Sequence, residues 1–160
     1  MSRYQLPGAE AGHLVEVVFV VALACRALRE GRSVMSHGPV QASDMPTVIG
    51  PYSQAYRAGE FLFVAGQPGL DPGTGSVPDG GFEAEARQAF VNLGTVLRTA
   101  GASLERVVKT TVFMSRAEDF ATMNQVFAEF FPTAPPVRST PIVGLPRGLR
   151  LSIEAIAYVG

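Results

Sequence analysis

Arg138 stands between Pro135-Pro136-Val137 and Ser139-Thr140, where rigid neighbours would fix the direction of a guanidinium. The planar fork of arginine suits a carboxylate, to which it can give two parallel charge-assisted hydrogen bonds. The same position also fits an ordinary surface arginine. Glu154 interrupts the apolar stretch Ile153, Ala155, Ile156, Ala157. Strand alternation places it on one face with Arg150, Ser152, Ile156 and Tyr158, opposite Leu151, Ile153, Ala155 and Ala157. A carboxylate so placed is either half of a cross-strand ion pair or an acid with a chemical task. Tyr52, after Gly50-Pro51, presents either a phenol or simple packing from a turn, and Asn124 is either a solvated helix residue or a polar site group.

Other catalytic constellations are missing from the sequence. It contains no HExxH and no phosphate-binding GxGxxG loop, since Gly73, Gly75 and the Gly80-Gly81 pair belong to a turn-rich segment. The histidines are His13 and His37 and the single cysteine is Cys25, too few for a metal cage or a disulfide framework in one chain. Acid-base or nucleophilic work therefore falls to carboxylates, arginine, tyrosine or backbone groups. One cysteine suits a reducing compartment, so the expected location is cytoplasmic.

These residues need a scaffold. A chain of 160 residues, 47% apolar, can bury one core. Phe61 to Ala65 reads as a buried strand, and one more strand is expected before Gly59. Pro68 to Gly81 is crowded with prolines and glycines and reads as an exposed loop. Phe82, Ala86, Ala89, Phe90, Leu93, Val96, Leu97 and Ala100 recur at helical spacing. Glu83 and Glu85 suit the first turn of that helix, and Gly101 suits its left-handed C-terminal position. Val107 to Met114 is rich in β-branched residues and reads as a strand. Asp119 to Phe131 reads as a second helix with an acidic cap, ended by Pro132. Arg138 to Val143 and Leu149 to Tyr158 read as neighbouring strands joined by the Gly144–Gly148 turn. This order predicts an α+β fold, an antiparallel or mixed sheet with both helices on one face. The other face, left bare, calls for self-association.

The net charge of -1, from 13 basic and 14 acidic side chains, does not favour nucleic acid or an anionic membrane. Leu14 to Cys25 is apolar but too short to span a bilayer, for which about 20 residues are needed, and its positive charges follow it, the reverse of a secretion signal. The expectation is that the domain occupies residues 35–160. Residues 1–34 would then be an extension outside it, either a tail without structure or a stretch upstream of the true start at Met35.

Six stretches resemble the RidA (YjgF) family in order and spacing: Ile49-Gly50-Pro51-Tyr52-Ser53-Gln54-Ala55, Phe63-Val64-Ala65-Gly66-Gln67, Val107 to Phe113, Asp119-Phe120 with Asn124, Pro136-Val137-Arg138-Ser139, and Ile153-Glu154-Ala155-Ile156-Ala157. The resemblance runs from about Pro46 to Gly160. It implies a chorismate-mutase-like fold and a homotrimer whose sheets form a central barrel, with clefts between subunits. It further implies hydrolysis of 2-imino acids to 2-oxo acids and ammonia, of the 2-iminobutanoate/2-iminopropanoate deaminase type, with no metal and no cofactor required. Arg138 would hold the substrate carboxylate and Glu154 the attacking water. Tyr52 would line the cleft and bond the substrate as a third catalytic residue, Asn124 would shape the cleft, and backbone at Gly66 and Thr140 would add polar contacts. Ala65 and Thr140 stand where serine and cysteine are common in the family, which bears on substrate preference. The alternative from a different class is a non-catalytic trimer that binds small carboxylates as a sensor or partner protein. RNA cleavage, attributed to some relatives, is disfavoured by the near-neutral charge.

Overall fold

The computed structural model describes residues 37–43, 45 and 50–160. The expectations for residues 1–34, including the apolar run Leu14 to Cys25, lie outside the described residues.

Eight main elements follow in order: β1 (His37–Val40), β2 (Ala55–Ala58), β3 (Phe61–Pro68), α1 (Gly81–Thr99), β4 (Val107–Met114), α2 (Phe120–Phe130), β5 (Val137–Ser139) and β6 (Leu151–Tyr158). The strands form one mixed sheet in the order β1-β2-β3-β6-β4-β5, antiparallel except for β4 and β5. The fold is the expected α+β arrangement. Both helices contribute to a single core with the inward residues of the sheet, among them Leu62, Val64, Val112, Ile153 and Ala155. Phe90 of α1 lies at its centre, fully buried and packed against Phe127, Phe130 and Phe131. Gly101 takes φ 75°, and Ala102 N–H donates back to the Leu97 carbonyl at 2.8 Å, closing α1 as a left-handed cap.

Burial along β6 alternates as expected, with Leu151, Ile153, Ala155 and Ala157 facing the core. Three details differ from the sequence reading. First, β5 is only three residues long and pairs with β4 in parallel, so the chain segments on either side of the Gly144–Gly148 turn are not neighbours. β6 instead lies between β3 and β4. The β4–α2–β5 segment is a parallel crossover unit, while Pro135 and Pro136, lacking backbone donors, suit a strand that ends at the sheet edge. Secondly, Asp119 makes no side-chain cap on α2; its carboxylate pairs with Arg150. Glu85 likewise serves more than the helix dipole: its Oε1 accepts hydrogen bonds from the backbone N–H groups of Arg150 (2.7 Å) and Leu151 (3.1 Å). Thirdly, the segment before Gly59 supplies two strands, because β1 adds itself to β2 despite containing Gly38 and Pro39.

No helix among the described residues is long and apolar enough to cross a membrane.

Candidate functional site

The short β5 strand carries Arg138 opposite Thr110 of β4, whose neighbour in β6 is the core-facing Ala155. Arg138 therefore lies on the helical side of the sheet. Its Nη2 donates to Asn124 Oδ1 at 2.7 Å and its Nη1 approaches Met123 Sδ at 3.5 Å. The guanidinium carbon sits 4.6 Å from the Phe127 ring centre and 5.8 Å from that of Phe120. An aromatic floor and one amide acceptor thus fix the plane of the fork while adding no negative charge. Partial burial lowers the arginine's pKa from its ordinary value. Among the described residues no carboxylate pairs with it. A half-buried cation so oriented has the chemistry to receive an anion.

Glu154 lies on the opposite, helix-free face. Its register partner on β4 is Thr111, not a cation, and among the described residues its carboxylate makes no ion pair and no hydrogen bond. The cross-strand ion pair is therefore not formed within this protomer. Glu154 instead borders a hollow of about 150 Å³ with Lys109, Thr111, Phe63 and Ile156. Lys109 and Thr111 were not singled out from the sequence. Alternation along β4 would have found them, because the core-facing Thr110, Val112 and Met114 leave Lys109 and Thr111 on the face of Glu154.

Tyr52, 49% exposed, and Gly66 border a larger cleft of about 470 Å³ together with Gln67, Thr74 and Arg147. Gly66 belongs to an irregularity in the β3–β6 register between Val64 and Gln67. A Cβ at this position would meet Ser152 Oγ at 2.8 Å, so a larger residue here requires that hydroxyl to rotate aside. Gly66 thereby joins the Tyr52 cleft to the strand that carries Glu154. The loop forming the far wall is tied by Asp71, whose Oδ1 accepts from the N–H groups of Gly73 and Thr74, each at 2.9 Å. Arg147 adopts φ 59°, a left-handed conformation within the Pro146–Gly148 turn, and was also unremarked in the sequence. Thr140 follows Arg138 by two residues, half-buried past the end of β5.

The chain thus brings Arg138 together with Asn124 and Tyr52 together with Gly66, and leaves Glu154 on the other side of the sheet from Arg138. Among the described residues no group of three or more histidine, cysteine or carboxylate side chains is arranged to hold a metal.

This α+β fold is shared with solved RidA and YjgF proteins. RidA from the Antarctic bacterium Psychrobacter sp. superposes with a TM-score of 0.72 at 37% identity, covering 75% of this chain and 98% of that one. E. coli TdcF with bound serine gives a TM-score of 0.72 at 35% identity, covering 76% and 98%. The family model described as Endoribonuclease L-PSP matches residues 42–159, and this chain belongs to that family, the RidA family. Among its relatives, the 2-iminobutanoate/2-iminopropanoate deaminase of Mus musculus is 42% identical over 122 residues, covering 76% of this chain and 90% of the relative. A RutC family protein of Pyrococcus horikoshii is 46% identical over 114 residues, covering 71% and 90%.

Proposed function

We propose that this chain hydrolyses 2-imino acids to 2-oxo acids and ammonia, working as a homotrimer in the cytoplasm without a cofactor. The observation that carries the reading is the Arg138 guanidinium, held by Asn124 and Phe127 with no carboxylate of its own among the described residues. The deaminase name of the mouse relative and the serine bound to E. coli TdcF, itself a small 2-amino carboxylate, agree with that choice of ligand.

The substrate carboxylate pairs with Arg138, and water held by Glu154 attacks C2 of the protonated imine. The new C–O bond forms as the C=N π electrons pass to nitrogen, and Glu154 takes a proton from the water. Glu154 then returns that proton to the amine nitrogen of the carbinolamine. The C–N bond breaks as the hydroxyl oxygen re-forms the carbonyl, and its proton passes through Glu154 to the departing ammonia. Such general acid-base assistance typically contributes about 10²–10⁴-fold. Tyr52, Asn124 and backbone at Gly66 and Thr140 frame the substrate.

Arg138 and Glu154 face opposite sides of one sheet, so a cleft containing both draws them from different subunits. The bare face supports assembly, since Tyr56, Phe61, Phe63 and Tyr158 all stand exposed on it. A domain of residues 35–160 is the unit that would assemble.

The test is release of ammonia or 2-oxo acid from 2-iminopropanoate and 2-iminobutanoate generated in situ from alanine and 2-aminobutanoate, against spontaneous hydrolysis. Acceleration that disappears in Glu154→Gln, with ligand binding retained, is the expected result. A folded trimer that binds 2-oxo acids but never exceeds the spontaneous rate would instead mark a carboxylate-binding protein.

A further inference from the structure

Three groups in the hollow beside Glu154 form a chain that points past the carboxylate itself. Lys109 Nζ donates to Thr111 Oγ1 at 2.9 Å, and Thr111 is the direct cross-strand partner of Glu154. Because the Thr111 oxygen accepts from an ammonium, its own O–H must be given elsewhere, and the positive charge behind it makes that O–H a stronger donor. No protein acceptor takes it among the described residues. The other lining residues, Phe63, Val64, Ala155 and Ile156, have no polar side-chain atom, so the polar side-chain groups of the hollow are the Thr111 hydroxyl, the Glu154 carboxylate and the Lys109 ammonium.

A buried water needs only about 10–15 Å³ of this kind of volume and two to four polar partners. The hollow of about 150 Å³ exceeds the first requirement, and Thr111 with Glu154 meets the second. We propose that Thr111, primed by Lys109, is the second anchor of the hydrolytic water, which accepts the Thr111 O–H and donates to the Glu154 carboxylate. This proposal rests on the deaminase reading for its chemistry. A water so held has spent one lone pair on Thr111 and one proton on Glu154, which leaves its other lone pair directed to the electrophilic imine carbon. Loss of the proton to Glu154 and formation of the C–O bond can then occur without the water reorienting. Thr111 touches the attacking water and is catalytic in that sense; Lys109 acts through it and is a positioning residue.

The experiment compares the assembled full-length protein with Thr111→Val, Thr111→Ser, Lys109→Met and Lys109→Arg, by steady-state imine hydrolysis and by high-resolution crystallography of wild type and Thr111→Val. Valine keeps the shape and removes the hydroxyl, and loss of one such hydrogen bond is expected to lower kcat by about tenfold with KM unchanged, because Arg138 is untouched. Serine should restore most of it, and Lys109→Arg more than Lys109→Met. Wild-type crystals should show an ordered water within hydrogen-bond distance of both Thr111 Oγ1 and a Glu154 carboxylate oxygen, missing in Thr111→Val. Wild-type kcat in Thr111→Val, or no such water in the wild type, overturns the proposal. Because the water is observed without turnover, a wild type that fails to hydrolyse imines yet holds this water would defeat the deaminase reading and leave the water site standing.

Discussion

Replacing Arg138 by lysine keeps the positive charge and removes the fork. In the wild type the guanidinium is held on the Phe127 ring at 4.6 Å and by Asn124 at 2.7 Å, so its remaining N–H groups are aimed before any ligand arrives. An ammonium on a flexible stem can give one charge-assisted hydrogen bond to a carboxylate where the fork gives two. The missing bond is worth about 1.5–3 kcal/mol, and loss of the aromatic stacking that orients the group adds about 0.5–1 kcal/mol. Together these give about 2–4 kcal/mol of transition-state stabilisation, which is roughly a 30- to 1,000-fold fall in kcat/KM. Arg138→Ala, which loses the charge as well, should lie at or beyond the upper end. The assay is oxo-acid release from 2-iminobutanoate above the spontaneous rate, with circular dichroism and sedimentation confirming an unchanged assembly. Because Arg138 is only partly buried, the lysine variant should unfold within about 1 kcal/mol of wild type, the scale of one net hydrogen bond. A lysine variant within about threefold of wild type would refute the clamp, since that is well below the effect of losing one charge-assisted bond.

Three other perturbations probe the scaffold. Glu85→Ala removes the acceptor for two backbone N–H groups at the start of β6 and should cost about 2–5 kcal/mol in urea unfolding, whereas Glu85→Gln, which keeps a carbonyl oxygen there, should cost clearly less. Gly66→Ala puts a methyl against Ser152 Oγ, which must turn aside, and should destabilise by about 1 kcal/mol; adding Ser152→Ala should recover most of the loss, a coupling read by a double-mutant cycle. Phe63→Glu places a charge on the exposed apolar face and should convert the proposed trimer to monomers in sedimentation velocity, with the helix-side core intact in circular dichroism.

Much of the scaffold is written locally. The period of apolar residues in α1, the β-branched run of β4 and the alternation of β6 each depend on side chains a few positions apart, so they could be read from the chain. The same alternation determined that Glu154 would face away from the core. Gly101 marked a helix end because its left-handed conformation is a local steric matter. The family pattern, from Pro51-Tyr52 to Glu154, was equally legible, since it lies in residue types and their spacing.

Tertiary structure alone decided what depends on distant partners. The carboxylate of Asp119 could have capped α2, but Arg150, 31 positions further on, gave it a stronger opposite charge. The turn at Gly144–Gly148 suggested a hairpin, yet β6 found both its neighbours elsewhere, because its fully buried core face is better covered between β3 and β4 than at an edge. Strand order also put Arg138 and Glu154 on opposite faces, which periodicity within either strand cannot reveal: the face of one strand relative to another is set by register, and register is a property of the folded sheet.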